Sequence, residues 1–164
     1  SMKAEEFVSR LTQMKVGPVP QRPVFIWTGM KYKLEGLTEG LEAHYEDMAQ
    51  TMLPKNDALA DHRTFIQNHL NETCRDYQKN RQEPSILIIE NSILLARYSC
   101  DLSVLFKSAV SPRSAAVLMF PQESGRDFPP RTEAWVKRST KNIMKQLAKQ
   151  LGDVDCIVDV IGGD

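Results

Sequence analysis

Two stretches of the chain hold residue types that could handle phosphate. Gly29 follows the apolar run Val24-Phe25-Ile26-Trp27, with Lys31 and Lys33 close behind it, and the run Ile86-Leu87-Ile88-Ile89 ends in Glu90-Asn91. A glycine turn can present backbone N–H groups to a phosphate, a lysine can neutralise its outer oxygens, and a carboxylate can hold a divalent cation. Arg113 and Arg97 are two further cations, read either as fingers on a neighbouring subunit's phosphate or as surface ion-pair partners. Gln122, just past Phe120-Pro121, is the one polar side chain placed to sense a ligand there. Counted against the phosphate-loop pattern G-x-x-x-x-G-K-[ST] from Gly29, the second glycine falls on Leu34, the lysine on Glu35 and the hydroxyl on Gly36. Leu34 resists the positive φ that glycine supplies, and Glu35 brings a negative charge to an anion site. Asn91 stands where a water-activating carboxylate would be needed. The spacing therefore predicts weak or undetectable nucleotide binding and leans against hydrolysis. ATP with magnesium is the candidate cofactor, Lys31 and Lys33 are displaced ligands for it, and solvated surface lysines are the alternative.

Such residues need a sheet to bring them together. Short runs rich in Ile, Leu and Val, without alternation, read as strands buried on both faces, as in a parallel sheet. The candidates are Val24–Thr28, Ile86–Glu90, Ala115–Phe120 and Ile157–Ile161. Phe7, Leu11 and Met14 recur at helical spacing in a short N-terminal helix that Gly17-Pro18 ends. Leu34, Leu37, Leu41, Tyr45, Met48 and Met52 predict a helix from 34 to 52, with Glu35, Glu39, Glu42 and Glu46 as an acidic stripe. Capped by Asn56 or Asp57, a further helix runs to about Asn80. Ser92–Val110 reads as one crossover helix between two strands. Past the loop 121–130, a last helix from Pro130 to about Leu151 carries Lys137, Lys141, Lys145 and Lys149 at four-residue intervals. The expected fold is α/β, a single domain over 1–164 with a mainly parallel sheet flanked by helices. Ligands of such sheets bind outside the carboxyl ends of the strands.

The rest of the composition narrows the classes. Lys and Arg number 21 against 21 Asp and Glu, so nothing draws the whole chain to nucleic acid or an anionic membrane. Three cysteines, Cys74, Cys100 and Cys156, are odd in number and form no Cys-x-x-Cys pair, which favours free thiols in a cytoplasmic setting. His44, His62 and His69 lack the Cys or Asp that would complete a metal-ligand set. No G-x-S-x-G elbow occurs. No apolar run approaches the roughly 20 residues of a membrane span, and Ser1 ahead of Met2 reads as the remnant of tag removal. The lysine and glutamate strips are the remaining signals. Each is either a solvated helix face or a contact surface, pairing with a second copy or, for the lysines, with a protein or with DNA phosphates.

The order of strand, glycine loop, helices, acid-tipped strand, helix, strand resembles the core of P-loop nucleoside triphosphatases, particularly the AAA-like branch. In that branch the acid-tipped strand holds magnesium and the next strand carries a sensor residue. A short N-terminal helix, this chain length, the Ile88-Ile89-Glu90-Asn91 strand end and the aromatic-Pro end at Phe120-Pro121 are similar to the BrxF family, the small P-loop-like component of certain bacteriophage-exclusion (BREX) defence systems. The resemblance carries over Gly29, Lys31 and Lys33 as the loop and Glu90 as the acidic tip. It implies an assembly or regulatory subunit with partners in a larger ATPase, a methylase and a phosphatase-like protein. An ATP-binding switch with an unorthodox loop, and a small DNA-contacting adaptor using the lysine helix, are the alternatives.

Overall fold

The computed structural model describes residues 2–17, 22–53, 59–80, 82–106, 113–120, 133–152 and 155–158, and of 59–61 and 133–140 the backbone alone. Five strands, β1 (Val24–Trp27), β2 (Glu42–Asp47), β3 (Ser85–Glu90), β4 (Ser114–Met119) and β5 (Ile157–Val158), form one sheet in the order β2-β3-β4-β1-β5. All neighbours are parallel. Around it lie α1 (Ala4–Val16), α2 (Lys31–Leu37), α3 (Leu59–Asn80), α4 (Ile93–Arg97) and α5 (Glu133–Gln150).

Every residue of β1 and β4 is buried, as expected for strands covered on both faces. One face packs Phe25, Trp27, Ile86, Ile88 and Val117 against Phe7, Leu11 and Met14 of α1 and Leu34 of α2. Phe7 meets the edge of Phe25 with ring centroids 4.9 Å apart. The other face packs Leu87, Ile89, Ala116 and Leu118 against Ile66, Leu70 and Tyr77 of α3, Leu95 of α4, and Met144 and Leu147 of α5. The chain crosses from β1 to β2 in one direction and then returns through β3 and β4, finally passing β1 to reach β5. Crossovers of a single hand then put α2 on one face and α3, α4 and α5 on the other.

Two sequence expectations are corrected. The helix expected from Leu34 to Met52 ends at Leu37 and gives way to β2 and a 3₁₀ turn, Met48–Gln50. Thr38 closes α2 by donating its hydroxyl to Leu34 O at 3.0 Å, and Gly40 turns the chain with φ of 86°. Residues 42–47 then pair along the whole length of β3. Backbone hydrogen bonding to β3 outweighs the weak strand preference of Glu-Ala-His-Tyr-Glu-Asp. Gly36 and Gly40, both costly inside a helix, were the available signal. The crossover expected over Ser92–Val110 breaks after α4, where Ser99 takes φ of 50°, and resumes as a 3₁₀ turn at Ser103–Leu105. Leu95, Leu102 and Leu105 still reach the core. Val110, Gln122, Asn56, Asp57, Pro130 and the 159–161 part of the last expected strand lie outside the described residues.

Candidate functional site

The carboxyl ends of β1, β3 and β4 meet where the chain leaves β1 and β4 for opposite faces, the position at which open α/β sheets bind ligands. Hydrogen bonds stitch these ends together. Phe120 N donates to Trp27 O at 3.2 Å, Ser92 N to Met119 O at 3.1 Å, and Ser92 Oγ to Ile89 O at 2.7 Å. Thr28 Oγ1 donates to Val158 O of β5 at 2.9 Å. The indole of Trp27 donates to Met30 O at 3.1 Å, which holds the short turn after β1 in place.

That turn decides what the glycine can do. The helix starts at Lys31, so only Thr28, Gly29 and Met30 separate strand from helix. Among the described residues the glycines with positive φ are Gly40 and Gly152, and Gly29 is not one of them. Leu34 is fully buried against the sheet and donates its N–H to Met30 O at 3.4 Å. Its burial draws the helix down at the point where a phosphate loop would have to bulge outward. Glu35 and Gly36, where the lysine and hydroxyl of a phosphate loop would fall, sit within α2.

The side chains nevertheless converge. Lys31 Nζ lies 2.7 Å from Glu90 Oε1 and 4.7 Å from the ring centre of Tyr45. Tyr45 pairs in register with Ile88, so it shares the α2 face with Glu90. The hydrogen bond to Glu90 raises the Lys31 ammonium pKa above its ordinary value, against an opposing effect of burial. Burial, and then the Glu35 carboxylate, raise the phenol of Tyr45. Beside them Asn91 donates Nδ2 to Asp47 Oδ1 at 2.7 Å, and the same oxygen accepts from Ala49 N at 2.8 Å. Lys33, on the same short helix, stands half-buried with no part in the pair.

Arg113 is not brought to this site. It precedes β4 at the amino end and donates to Lys15 O of α1. The strand Ser114–Met119 places it about 20 Å from the carboxyl ends at ~3.3 Å per residue. Arg97 is exposed at the end of α4.

The acidic stripe is dispersed by the change from helix to strand. Glu35 is exposed on α2, and Glu39 follows that helix with its carbonyl accepting from Lys15 Nζ at 2.9 Å. Glu42 and Glu46 lie on the opposite face of β2 from Tyr45, because neighbours along a strand alternate. Glu42 Oε1 is 3.0 Å from His44 Nε2, and Glu46 Oε1 is 2.9 Å from His69 Nε2. His69 Nδ1 in turn lies 2.6 Å from Thr51 Oγ1, so one imidazole from α3 ties down both β2 and the turn behind it. Lys141, Lys145 and Lys149 are exposed along α5, as the spacing predicts for that helix, and Lys137 belongs to the same helix.

Tyr45 and Asp47 are the site-forming residues that sequence reasoning missed, and it also missed His69 as a tie to the edge strand on the other face of β2. Tyr45 and Asp47 were hidden by the helical reading of 34–52, and His69 by the absence of any sequence-local partner. Among the described residues no group of three or more His, Cys, Asp or Glu side chains could hold a metal ion, and no helix is long and apolar enough to cross a membrane. Glu90 is a hard oxygen donor already facing a cation, Lys31. It therefore fits a magnesium ion held chiefly by phosphates and water, and not a protein-caged one. Comparison with protein-family models, curated proteins and solved structures finds no match to this chain.

Proposed function

We propose that the chain is a P-loop-like, AAA-like domain without hydrolytic chemistry that serves as an assembly or regulatory subunit, by resemblance in a bacterial anti-phage defence complex of the BREX kind. The observation that carries this is the Lys31–Glu90 pair at the carboxyl end of the sheet. It sets a cation for phosphate and a carboxylate for metal side by side, beneath a turn too short to wrap a nucleotide. Asn91, next in the chain, has its amide engaged by Asp47 and offers no base to activate water. The exposed lysines of α5 supply a surface suited to an acidic partner, such as the larger ATPase, the methylase or the phosphatase-like protein that the resemblance implies.

Two measurements on the purified chain test this. Phosphate release from Mg–ATP is expected at the level of buffer alone. Co-sedimentation with those candidate partners is expected to give a stoichiometric, salt-sensitive complex. Turnover that disappears in Glu90→Gln would instead establish the alternative, a working ATP switch. Salt-sensitive duplex DNA binding in the absence of any protein complex would favour the DNA adaptor.

A further inference from the structure

The Lys31–Glu90 pair has a property that neither residue would have alone. Its two halves are the charge complements of a metal–polyphosphate: the ammonium matches a phosphate oxygen and the carboxylate matches a divalent cation. We infer that the pair is a latch that a metal–polyphosphate opens by exchanging partners, Glu90 taking the metal and Lys31 the phosphate, whereas a bare polyphosphate must break the pair with nothing to offer Glu90. This rests on reading the crevice as a phosphate site and specifies how that site is gated.

The geometry favours exchange over a permanent lock. Lys31 and Glu90 keep 47% and 27% of their side-chain surface exposed, so a ligand can reach both from solvent. An ion pair this exposed is weak and opens readily. The ring of Tyr45 below Lys31 holds the ammonium near the carboxylate, and leaves it within reach of a phosphate arriving from the open side. Glu35, on the same helix, adds to the negative field around Lys31 without contacting it. A bare anion therefore meets Glu90, Glu35 and an occupied lysine. Its metal complex meets a carboxylate that it can bind.

The test is a calorimetric or ³¹P-resonance titration of the whole chain with inorganic tripolyphosphate up to millimolar concentration, with and without magnesium. Wild type is expected to prefer the magnesium form. Glu90→Gln removes the metal ligand and frees Lys31, so the preference should reverse, with bare tripolyphosphate binding roughly three- to fivefold more tightly than to wild type. The double variant K31A/E90Q should lose that gain. Glu35→Gln, which removes the same charge without touching the pair, should change binding less than twofold. A gain in E35Q equal to that in E90Q, or wild-type binding indifferent to magnesium, overturns the latch while leaving a phosphate site. No binding to any of the four proteins overturns the phosphate-site reading itself. Thermal unfolding confirms that each variant is folded before it is titrated.

Discussion

Asn91, the residue after β3, donates from Nδ2 to Oδ1 of Asp47, the last residue of β2, at 2.7 Å. Asn91 does so from left-handed backbone, φ 54°, which asparagine tolerates better than most residues and which strains an ordinary side chain by about 1–2 kcal/mol. The contact joins the acid-tipped strand to the sheet edge beside Glu90.

Asn91→Ala should therefore destabilise the fold by about 2 kcal/mol, combining backbone strain with a lost hydrogen bond of about 1 kcal/mol. Asn91→Gly should lose only the second part. Urea unfolding of both variants decides this, and equal losses would show that the backbone conformation is not what matters.

His69 bridges Glu46 of β2 and Thr51 behind it. Replacing it by Ala should cost about 1–2 kcal/mol and loosen the edge strand selectively. Amide exchange should quicken in residues 42–51 while β1 and β4 keep their protection. Uniform quickening across the sheet would argue that His69 supports the core and not the edge.

Burial pushes the Cys74 thiol from 9.0 up to about 11, with the nearby Arg22 guanidinium opposing the shift. The sign follows from proton counting. Between these values the unfolded chain has lost a proton that the folded chain keeps, so stability falls as pH rises, by up to about 1.4 kcal/mol per unit for this one group. Below pH 9 both states are protonated and Cys74 contributes no slope. Burial raises Cys100 as well, in the same direction. Urea midpoints measured from pH 8 to 10.5 should fall more steeply for wild type than for Cys74→Ala; parallel curves would refute the buried thiol. All three cysteines are free and buried, so a thiol reagent should react only on unfolding.

Reversing Lys141 and Lys145 to Glu should leave folding stability within about 0.5 kcal/mol, since both are exposed on α5. Binding to the acidic partner proposed for this surface should fall at least tenfold, the order expected when rim attraction becomes repulsion. Partner capture that is unchanged by the reversal and insensitive to salt would assign the docking surface elsewhere.

Residue order alone was enough for the buried strands. Val24–Trp27, Ser85–Glu90 and Ser114–Met119 are apolar on both faces, and a chain can hide such runs only between two layers of helix. The helices α1, α3 and α5 were legible for the related reason that each repeats its apolar residues at the helical period. Glu90 at a strand tip was legible too, because it interrupts an apolar run. Tertiary structure decided the rest. Glu42–Asp47 alternates only Ala43 and Tyr45 with polar residues, too brief a pattern to stand out, and it is a strand because β3 presents it with a row of backbone partners. Lys31 and Lys33 were indistinguishable in the sequence; the start of α2 turns one toward Glu90 and leaves the other out of the pair. Arg113 was a plausible ligand until β4 placed it at the amino end of a parallel sheet. Periodicity reports which residues avoid water, whereas the partner of a half-exposed charge depends on distances set only once distant strands lie side by side.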